Sequence, residues 1–316
     1  MQDVLKQNYA AWADRARKGD EDCGRQLSYL MCGCLDSEDA ILPELEDEEW
    51  LTTLADKGWL PAIKLLLNAE RCEYRHSLEP FEDEDTHEIF DIDRITIANS
   101  HPIFDLSAKR RQELTRSYLL HVSENRSSMN VDELKEAYDF LSSSDDLIDT
   151  SVGSDTAARY IGLIEELISR DGAEWKETLG ELYYCGKPGI GIFRDSAKAQ
   201  EYNPELGTYE HCDDDICSYT LGIHGTRSQL DGIQTLIGRL CEKLGTPDNE
   251  LGMFVPIDAL IKTLVGSDEY RGNVMRMELS DDALTLQIEC EGDVADVLKY
   301  ALQCAFGELK IDLDEK

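Results

Sequence analysis

The chain of 316 residues carries 66 Asp and Glu residues against 31 Lys and Arg residues, which leaves a formal net charge of −35 at pH 7. A negative potential of this size repels phosphate backbones and anionic lipids, so the composition disfavours direct binding to nucleic acid or to a membrane surface. Hydrophobic residues make up 41% of the chain and recur along almost its whole length, which excludes a globally disordered protein.

Two helix pairs are predicted in the first 70 residues, each with a glycine at the turn. Apolar residues at spacings of three and four predict a helix that ends at Gly19 and another that ends at Gly58, and a further helix follows each glycine. The segments Ala16–Gly19 and Ala55–Gly58 are similar in sequence and lie 39 residues apart. This spacing indicates an internal repeat.

Two acidic segments interrupt these helices. Residues 36–49 contain eight acids and no base, which predicts an exposed loop leading into the next helix. Residues 79–93 are acidic as well and are expected to form a second exposed loop. Within and after this segment, 90–92 and 95–97 are the strand-like stretches of the first two thirds of the chain.

Helical periodicity returns from residue 107 and predicts three helices, with a serine- and aspartate-rich linker between Ser142 and Ser154. The pattern changes again near the end of the chain. A helix is predicted from about Ser228 to Leu244, followed by a hairpin formed by residues 275–279 and 284–290. A helix capped by Asp293 and a final short strand complete a small α+β module.

A sharper repeat signal lies in two neighbouring segments, Leu179 to Gly186 (LGELYYCG) and Asp195 to Tyr202 (DSAKAQEY). Together they resemble the Sel1-like repeat, a relative of the tetratricopeptide repeat. Small residues at Gly180, Ala197 and Ala199 would let two antiparallel helices approach closely, while Leu182, Tyr183 and Tyr202 fill the space between repeats. Gly186 would end the first helix of the pair.

In this family, helix pairs stack into a superhelix whose concave face binds protein segments, and members usually act as scaffolds or adaptors. The resemblance therefore implies a mainly α fold. We predict an α/α helical-repeat superhelix of the Sel1 and tetratricopeptide type, with acidic loops, over residues 1–212. The small α+β module then follows over residues 213–316.

Motifs for catalysis or cofactor binding are weak. The glycine-rich run Gly186–Gly191 lacks the Ser or Thr of a phosphate-binding loop and follows a helical segment, so a loop between repeats is expected. Cys32 and Cys34, and His211 and Cys212 with Cys217, do not match a paired zinc-binding pattern. Acidic pairs such as Asp91 and Asp93 are read as solvated surface, and no nucleophile elbow is found. We therefore predict no cofactor, no metal and no enzymatic activity.

Targeting signals are also weak. The first residues lack the basic and apolar segments of a secretory signal, and no stretch reaches the roughly 18 apolar residues of a membrane span. The ten cysteines are then expected to be reduced thiols in a cytoplasmic protein.

The acidic segments are the best candidates for binding, because their summed field would attract a basic protein. As solvated loops they would need no function. The predicted partner-binding residues are Asp36, Glu38, Asp39, Glu44, Glu46, Asp47, Glu48, Glu49, Glu82, Asp83, Glu84, Asp85, Asp213, Asp214 and Asp215.

Three functions remain open at this stage. The first is an adaptor, or an immunity or inhibitor protein, that binds and neutralises a basic protein, such as a nucleic-acid-binding protein or a toxin. The second is a nucleic-acid mimic whose carboxylates stand in for phosphates and block a DNA- or RNA-binding protein. The third is a metal-dependent enzyme built on acidic clusters.

Overall fold

The computed structural model describes residues 2–33, 41–82, 89–207, 216–245, 255–267 and 269–315, with side chains described for all of these except 2–7 and 72–99. Contacts between residues divide the chain into two compact units, Met1–His121 and Val122–Lys316. The boundary predicted between residues 212 and 213 lies inside the second unit, in a stretch outside the described residues.

The first unit begins with the two predicted helix pairs. They comprise α1 (Gln2–Arg17), α2 (Glu21–Cys32), α3 (Glu48–Asp56) and α4 (Leu60–Asn68). Both turns use a glycine with positive φ, +90° at Gly19 and +77° at Gly58, a conformation that residues with a Cβ rarely adopt. The predicted helix, glycine, helix order is confirmed in both copies.

The helix pairs pack on one another through a small residue in α2. A Cβ added at Gly24 would lie 3.2 Å from the ring of Trp50 and 3.3 Å from Leu54, so the missing side chain lets α2 and α3 approach closely. Leu27 of α2 and Leu51 of α3 are fully buried in this core.

A long β-hairpin follows α4 and consists of β1 (Glu70–Glu82) and β2 (Ile89–Pro102), paired antiparallel. The strand prediction at residues 90–92 and 95–97 is confirmed. The expectation of an exposed loop is wrong for residues 79–82, 89 and 93, which belong to the paired strands. β1 has no clear strand pattern of its own; it is extended because its backbone pairs with β2.

Helix α5 (Ala108–Asn125) contributes to both units. Two further predicted helices follow in the second unit, α6 (Val131–Ser142) and α7 (Thr156–Asp171). Asn130 caps α6, with its side chain accepting a 2.9 Å hydrogen bond from the Glu133 N–H. Residues 143–155 lie outside any helix or strand, as the linker prediction required.

The segments that resemble a Sel1-like repeat form a helix pair, α8 (Glu174–Cys185) and α9 (Ser196–Tyr202). Gly186 ends α8 with a φ of +78°. The rings of Tyr183 and Tyr202 stack with their centroids 5.9 Å apart. The predicted close helix pairing is confirmed at this position, whereas a superhelix of such pairs stays a prediction.

The rest of the second unit is an α+β module. Its elements are β3 (Ile216–His224), α10 (Arg227–Leu244), β4 (Val255–Pro256), α11 (Ile257–Val265), β5 (Gly272–Leu279), β6 (Ala283–Glu291), α12 (Val294–Phe306) and β7 (Lys310–Glu315). The described strands form one antiparallel sheet in the order β4, β5, β6, β3, β7. Without the two-residue β4 and the short helix α11, chain order and strand order are those of the ferredoxin-like βαββαβ arrangement.

The predicted helix, hairpin, helix and strand of this module are all confirmed. The sequence reading did not find β3, which lies between β6 and β7. Tyr219, Leu221 and Ile223 of β3 point into the core formed with α10, α11 and α12. The alternation of these residues with polar ones is visible in the sequence, but it was not recognised as a strand.

The opposite face of the sheet carries small and polar side chains from the central strands β3 and β6. Ser218, Thr220 and Thr285 are partly exposed on this face. None of the described side chains of β3 and β6 on this face is a Phe, Tyr or Trp.

No helix in the described part of the chain combines the length and the apolar character needed to cross a membrane.

The contact at Gly180 yields a stability prediction. A Cβ at this position would lie 2.8 Å from the Cβ of Asn203 and 3.2 Å from the backbone oxygen of Ala199. Gly180→Ala should therefore lower the free energy of unfolding by about 1–3 kcal/mol, as overpacking typically does. Urea unfolding followed by circular dichroism would measure the change.

Gly238, in α10, is the matched control, because a Cβ there would meet nothing within 4 Å. Gly238→Ala should stabilise the protein by roughly 0.5–1 kcal/mol through helix propensity alone. If both variants gained stability equally, the close approach of α8 and α9 would be disproved.

Candidate functional site

Only part of the predicted binding surface falls within the described side chains. Asp36, Glu38, Asp39, Asp83, Glu84, Asp85, Asp213, Asp214 and Asp215 lie outside the described residues, and Glu82 is described in its backbone alone. The remaining five are Glu44, Glu46, Asp47, Glu48 and Glu49. Glu44 directly precedes a turn of 3₁₀ helix, Leu45–Asp47, which contains Glu46 and Asp47. This turn runs directly into α3, which begins with Glu48 and Glu49. The loop predicted over residues 36–49 is therefore wrong for its last five residues.

Asp47 is the exception among these five acids, because its side chain has no exposed surface. One carboxylate oxygen accepts hydrogen bonds from Arg17 Nε at 2.8 Å and Trp50 Nε1 at 2.9 Å. The other accepts from the Tyr9 hydroxyl and the Glu44 N–H, each at 2.9 Å. Asp47 thus fixes α1 and α3 to each other, and it offers nothing to a partner.

The electrostatics of Asp47 follow from this geometry. Burial alone would raise the pKa of its carboxyl group, but the hydrogen bonds from Trp50, Glu44, Arg17 and Tyr9 outweigh burial and hold the pKa below its ordinary value. In the reverse direction, burial and the neighbouring carboxylate raise the pKa of the Tyr9 hydroxyl. Asp47 is therefore an ionised group that its partners fully satisfy.

The other four acids are exposed. Glu44 forms an ion pair with Arg71 at 2.9 Å, and both side chains are more than half exposed, so this pair contributes little to stability. Glu46, Glu48 and Glu49 make no hydrogen bond or ion pair through their carboxylates with any described residue. These three carboxylates are available to a partner.

Glu46 and Glu49 stand at the rim of a groove of about 290 Å³ between α1, α2 and α3. Its lining residues are Ala16, Arg17, Gly19, Asp20, Glu21, Gly24, Glu46, Glu49, Trp50, Thr53, Leu54 and Lys57. The residues from α3 recur at spacings of three and four, so they share one face of that helix. Four carboxylates and two cationic groups line the groove, above a floor that includes Trp50 and Leu54.

The charges on the α2 side of the groove are already compensated. Asp20 accepts a 2.5 Å hydrogen bond from Arg15, and Glu21 binds both Lys57 and Arg25. The uncompensated negative charge of the groove therefore comes from Glu46 and Glu49. Sequence reasoning selected both residues but missed the groove, because α1 and α2 contribute its other walls.

A second cavity, of about 380 Å³, lies in the second unit beside the glycine-rich loop. Its main feature is Arg194, which is only 2% exposed. The guanidinium forms an ion pair with Asp293 and lies over the ring of Tyr270, 4.9 Å from its centroid. Arg194 thereby joins the loop after α8 to the α+β module, which is a structural role.

The same loop is not a phosphate cradle. Lys187 and Ile192 form a β-bridge across it, Ile190 is buried, and Glu269 already accepts hydrogen bonds from the N–H and hydroxyl of Ser196 at 2.7 and 2.5 Å. A carboxylate of the chain itself therefore occupies the start of α9. The interpretation of this segment as a loop between two helices is confirmed.

The described residues contain no group of three or more His, Cys, Asp or Glu side chains arranged to hold a metal ion. Of the zinc-ligand candidates, Cys34, His211 and Cys212 lie outside the described residues, and Cys32 and Cys217 form no disulfide bond. The side chains of Asp91 and Asp93 are likewise not among those that the structure describes.

The role of Asp47 leads to a prediction. Asp47→Asn removes the charge that Arg17 faces and turns one acceptor into a donor, so the free energy of unfolding should fall by about 2–4 kcal/mol. Glu48→Gln, one residue further and fully solvated, is the control and should stay within about 0.5 kcal/mol of the parent. Tryptophan fluorescence during urea unfolding would report both values.

The pH dependence gives a second readout of the same pair of variants. The folded pKa of Asp47 is below the ordinary 3.8, so its stabilisation is complete above that value and is lost as the pH falls through the folded pKa. The parent protein should lose stability in this range more steeply than the Asp47→Asn variant. Identical slopes would contradict the buried carboxylate.

Comparison of the chain with protein-family models, with curated proteins and with solved structures gave no match.

Proposed function

We propose that the protein is an acidic protein-binding module, and that the groove beside α3 receives a basic segment of the partner. One observation carries this proposal: the exposed carboxylates of Glu46 and Glu49 border a groove with an apolar floor and form no hydrogen bond or ion pair with any described residue. Such a site favours a long cationic side chain, whose stem contacts the floor while its charge meets the rim.

The size of the groove supports a segment of a protein partner, and not a small molecule, as the occupant. Its volume of about 290 Å³ is at the lower end of the roughly 300–1,000 Å³ that small-molecule pockets span. One or two lysine or arginine side chains of a partner would fill it. Glu44 and Glu48, on either side, would add to the attraction at longer range.

The net charge of the whole chain supports a basic partner as well, because a field of this sign raises the rate of encounter with cationic surfaces. The role would be that of an adaptor or of an inhibitor or immunity protein, depending on whether the bound segment is active. The resemblance of residues 179–202 to Sel1-like repeats agrees with a binding role. The cytoplasmic location inferred from the sequence belongs to the same proposal.

A nucleic-acid mimic is the main alternative. It would present rows of carboxylates spaced like phosphates, whereas the described acids at this site surround an apolar depression. We therefore favour recognition of a protein segment. A metal-dependent enzyme receives no support from the described clusters of acidic side chains.

Charge reversal at the rim tests the proposal. The double variant Glu46→Lys/Glu49→Lys should bind the partner with an association rate about tenfold lower at low salt, because the partner's cations then meet cations. The difference should shrink as salt is raised, since screening weakens both the attraction of the partner by the parent protein and its repulsion by the variant. Immobilised parent protein would first capture basic proteins from a cell extract, and surface plasmon resonance would then compare the variants.

The control makes the same change in charge elsewhere. Glu201 and Glu242 are exposed acids of α9 and α10, and Glu201→Lys/Glu242→Lys should alter the association rate less than about twofold. Equal slowing in both double variants would show that net charge alone governs binding and would remove the groove from the proposal. Displacement of the partner by duplex DNA would favour the mimic.

A further inference from the structure

Two cysteines face each other on neighbouring strands of the α+β module, near one end of the ladder between β3 and β6. Cys217 of β3 pairs directly with Cys290 of β6, in an antiparallel ladder without a bulge between these strands. Residues that pair in this way project from the same side of the sheet. Both thiols are free in the structure. This inference concerns the second unit and does not depend on the proposed partner binding.

The ladder sets their separation. The N–H of Glu291 donates to the carbonyl of Arg271, on the β5 side, so the backbone groups of the preceding Cys290 point toward β3. Cys217 and Cys290 therefore form a hydrogen-bonded pair, for which the Cα atoms lie about 5.5 Å apart. Disulfides most often join Cα atoms separated by about 5.5–6 Å.

The surroundings leave room for the sulfur atoms to meet. Cys290 is fully buried, whereas Cys217 is partly exposed. On the other side of Cys290 its partner in β5 is Gly272, where an added Cβ would lie 2.5 Å from the Cys290 Cβ. Because Gly272 has no side chain, the Cys290 thiol is not blocked from that strand.

We propose that Cys217 and Cys290 are a modification site at which a low-molecular-weight disulfide, of the oxidised glutathione class, introduces a reversible cross-strand disulfide bond. In the first step the Cys217 thiolate attacks one sulfur of the reagent, the reagent's S–S bond breaks, and one glutathione thiolate leaves. In the second step the Cys290 sulfur bonds to Cys217 Sγ, the S–S bond between Cys217 and glutathione breaks, and the second glutathione leaves as a thiol with the proton of Cys290. Two protein thiols are oxidised, and one disulfide reagent is reduced to two thiols.

The order of the two steps follows from exposure. Cys217 is reached from solvent, whereas burial and then the nearby Asp293 raise the pKa of the Cys290 thiol to about 12. A thiol with so little thiolate is a slow nucleophile. Cys217 is therefore the attacking residue, and Cys290 resolves the mixed disulfide.

The test uses the full chain under native conditions with excess oxidised glutathione, followed by alkylation of the remaining thiols and peptide mass spectrometry. Most of the parent protein should carry the Cys217–Cys290 linkage. Cys290→Ser should stop at the first step and retain glutathione on Cys217. Cys217→Ser should retain a free Cys290 without glutathione. If Cys290→Ser fails to fold, Cys290→Ala is the replacement, because it keeps the site apolar.

Cys185→Ser is the matched control, because Cys185 is an exposed thiol of the same unit; it should leave the linkage unchanged. Dithiothreitol should release the bond without unfolding the protein. The inference is overturned if the parent keeps glutathione on Cys217 without the linkage, if another cysteine is linked in equal yield, or if reduction requires denaturant.

Discussion

The first unit depends on one buried carboxylate. Asp47 has no exposed surface and accepts four hydrogen bonds, two on each oxygen. A buried charge is costly unless it is paired and hydrogen-bonded, so the donors on α1 and α3 must stay in place together. This requirement fixes the start of α3, and with it the outward direction of Glu46, Glu48 and Glu49. The same acidic run thus supplies both the internal anchor and the exposed charges of the groove.

Sequence reasoning could not separate Asp47 from its neighbours. Local patterns predicted the helix pairs on either side, because periodicity and positive-φ glycines are encoded within a few residues. The acidic run was assigned to a loop because composition alone treats the five acids between Glu44 and Glu49 alike. Tyr9 and Arg17 lie 38 and 30 residues away from Asp47, so only the tertiary fold identifies the buried member. One local signal was present, since Trp50 follows three residues later and donates to Asp47.

The α+β module shows the same division between local and distant information. Helices α10 and α12 and the hairpin of β5 and β6 follow from periodicity and a short turn, and these were predicted, whereas α11 was not. β3 was missed although it lies inside the sheet, because its partners are β6 and β7, far along the chain. Likewise β1 is a strand only because β2 pairs with it. Elements that depend on long-range backbone pairing were those the sequence revealed least.

The surplus of acid affects the two proposed sites in opposite ways. At the groove, exposed carboxylates that form no ion pair with the described residues favour the arrival of a basic segment. At the cysteine pair, Asp293 and Glu291 add to burial in disfavouring the Cys290 thiolate. Burial and these nearby carboxylates therefore slow the second step of oxidation. The pair should then stay reduced in a reducing compartment and respond only to a sustained excess of oxidant, so the charge that attracts a partner also protects the thiols.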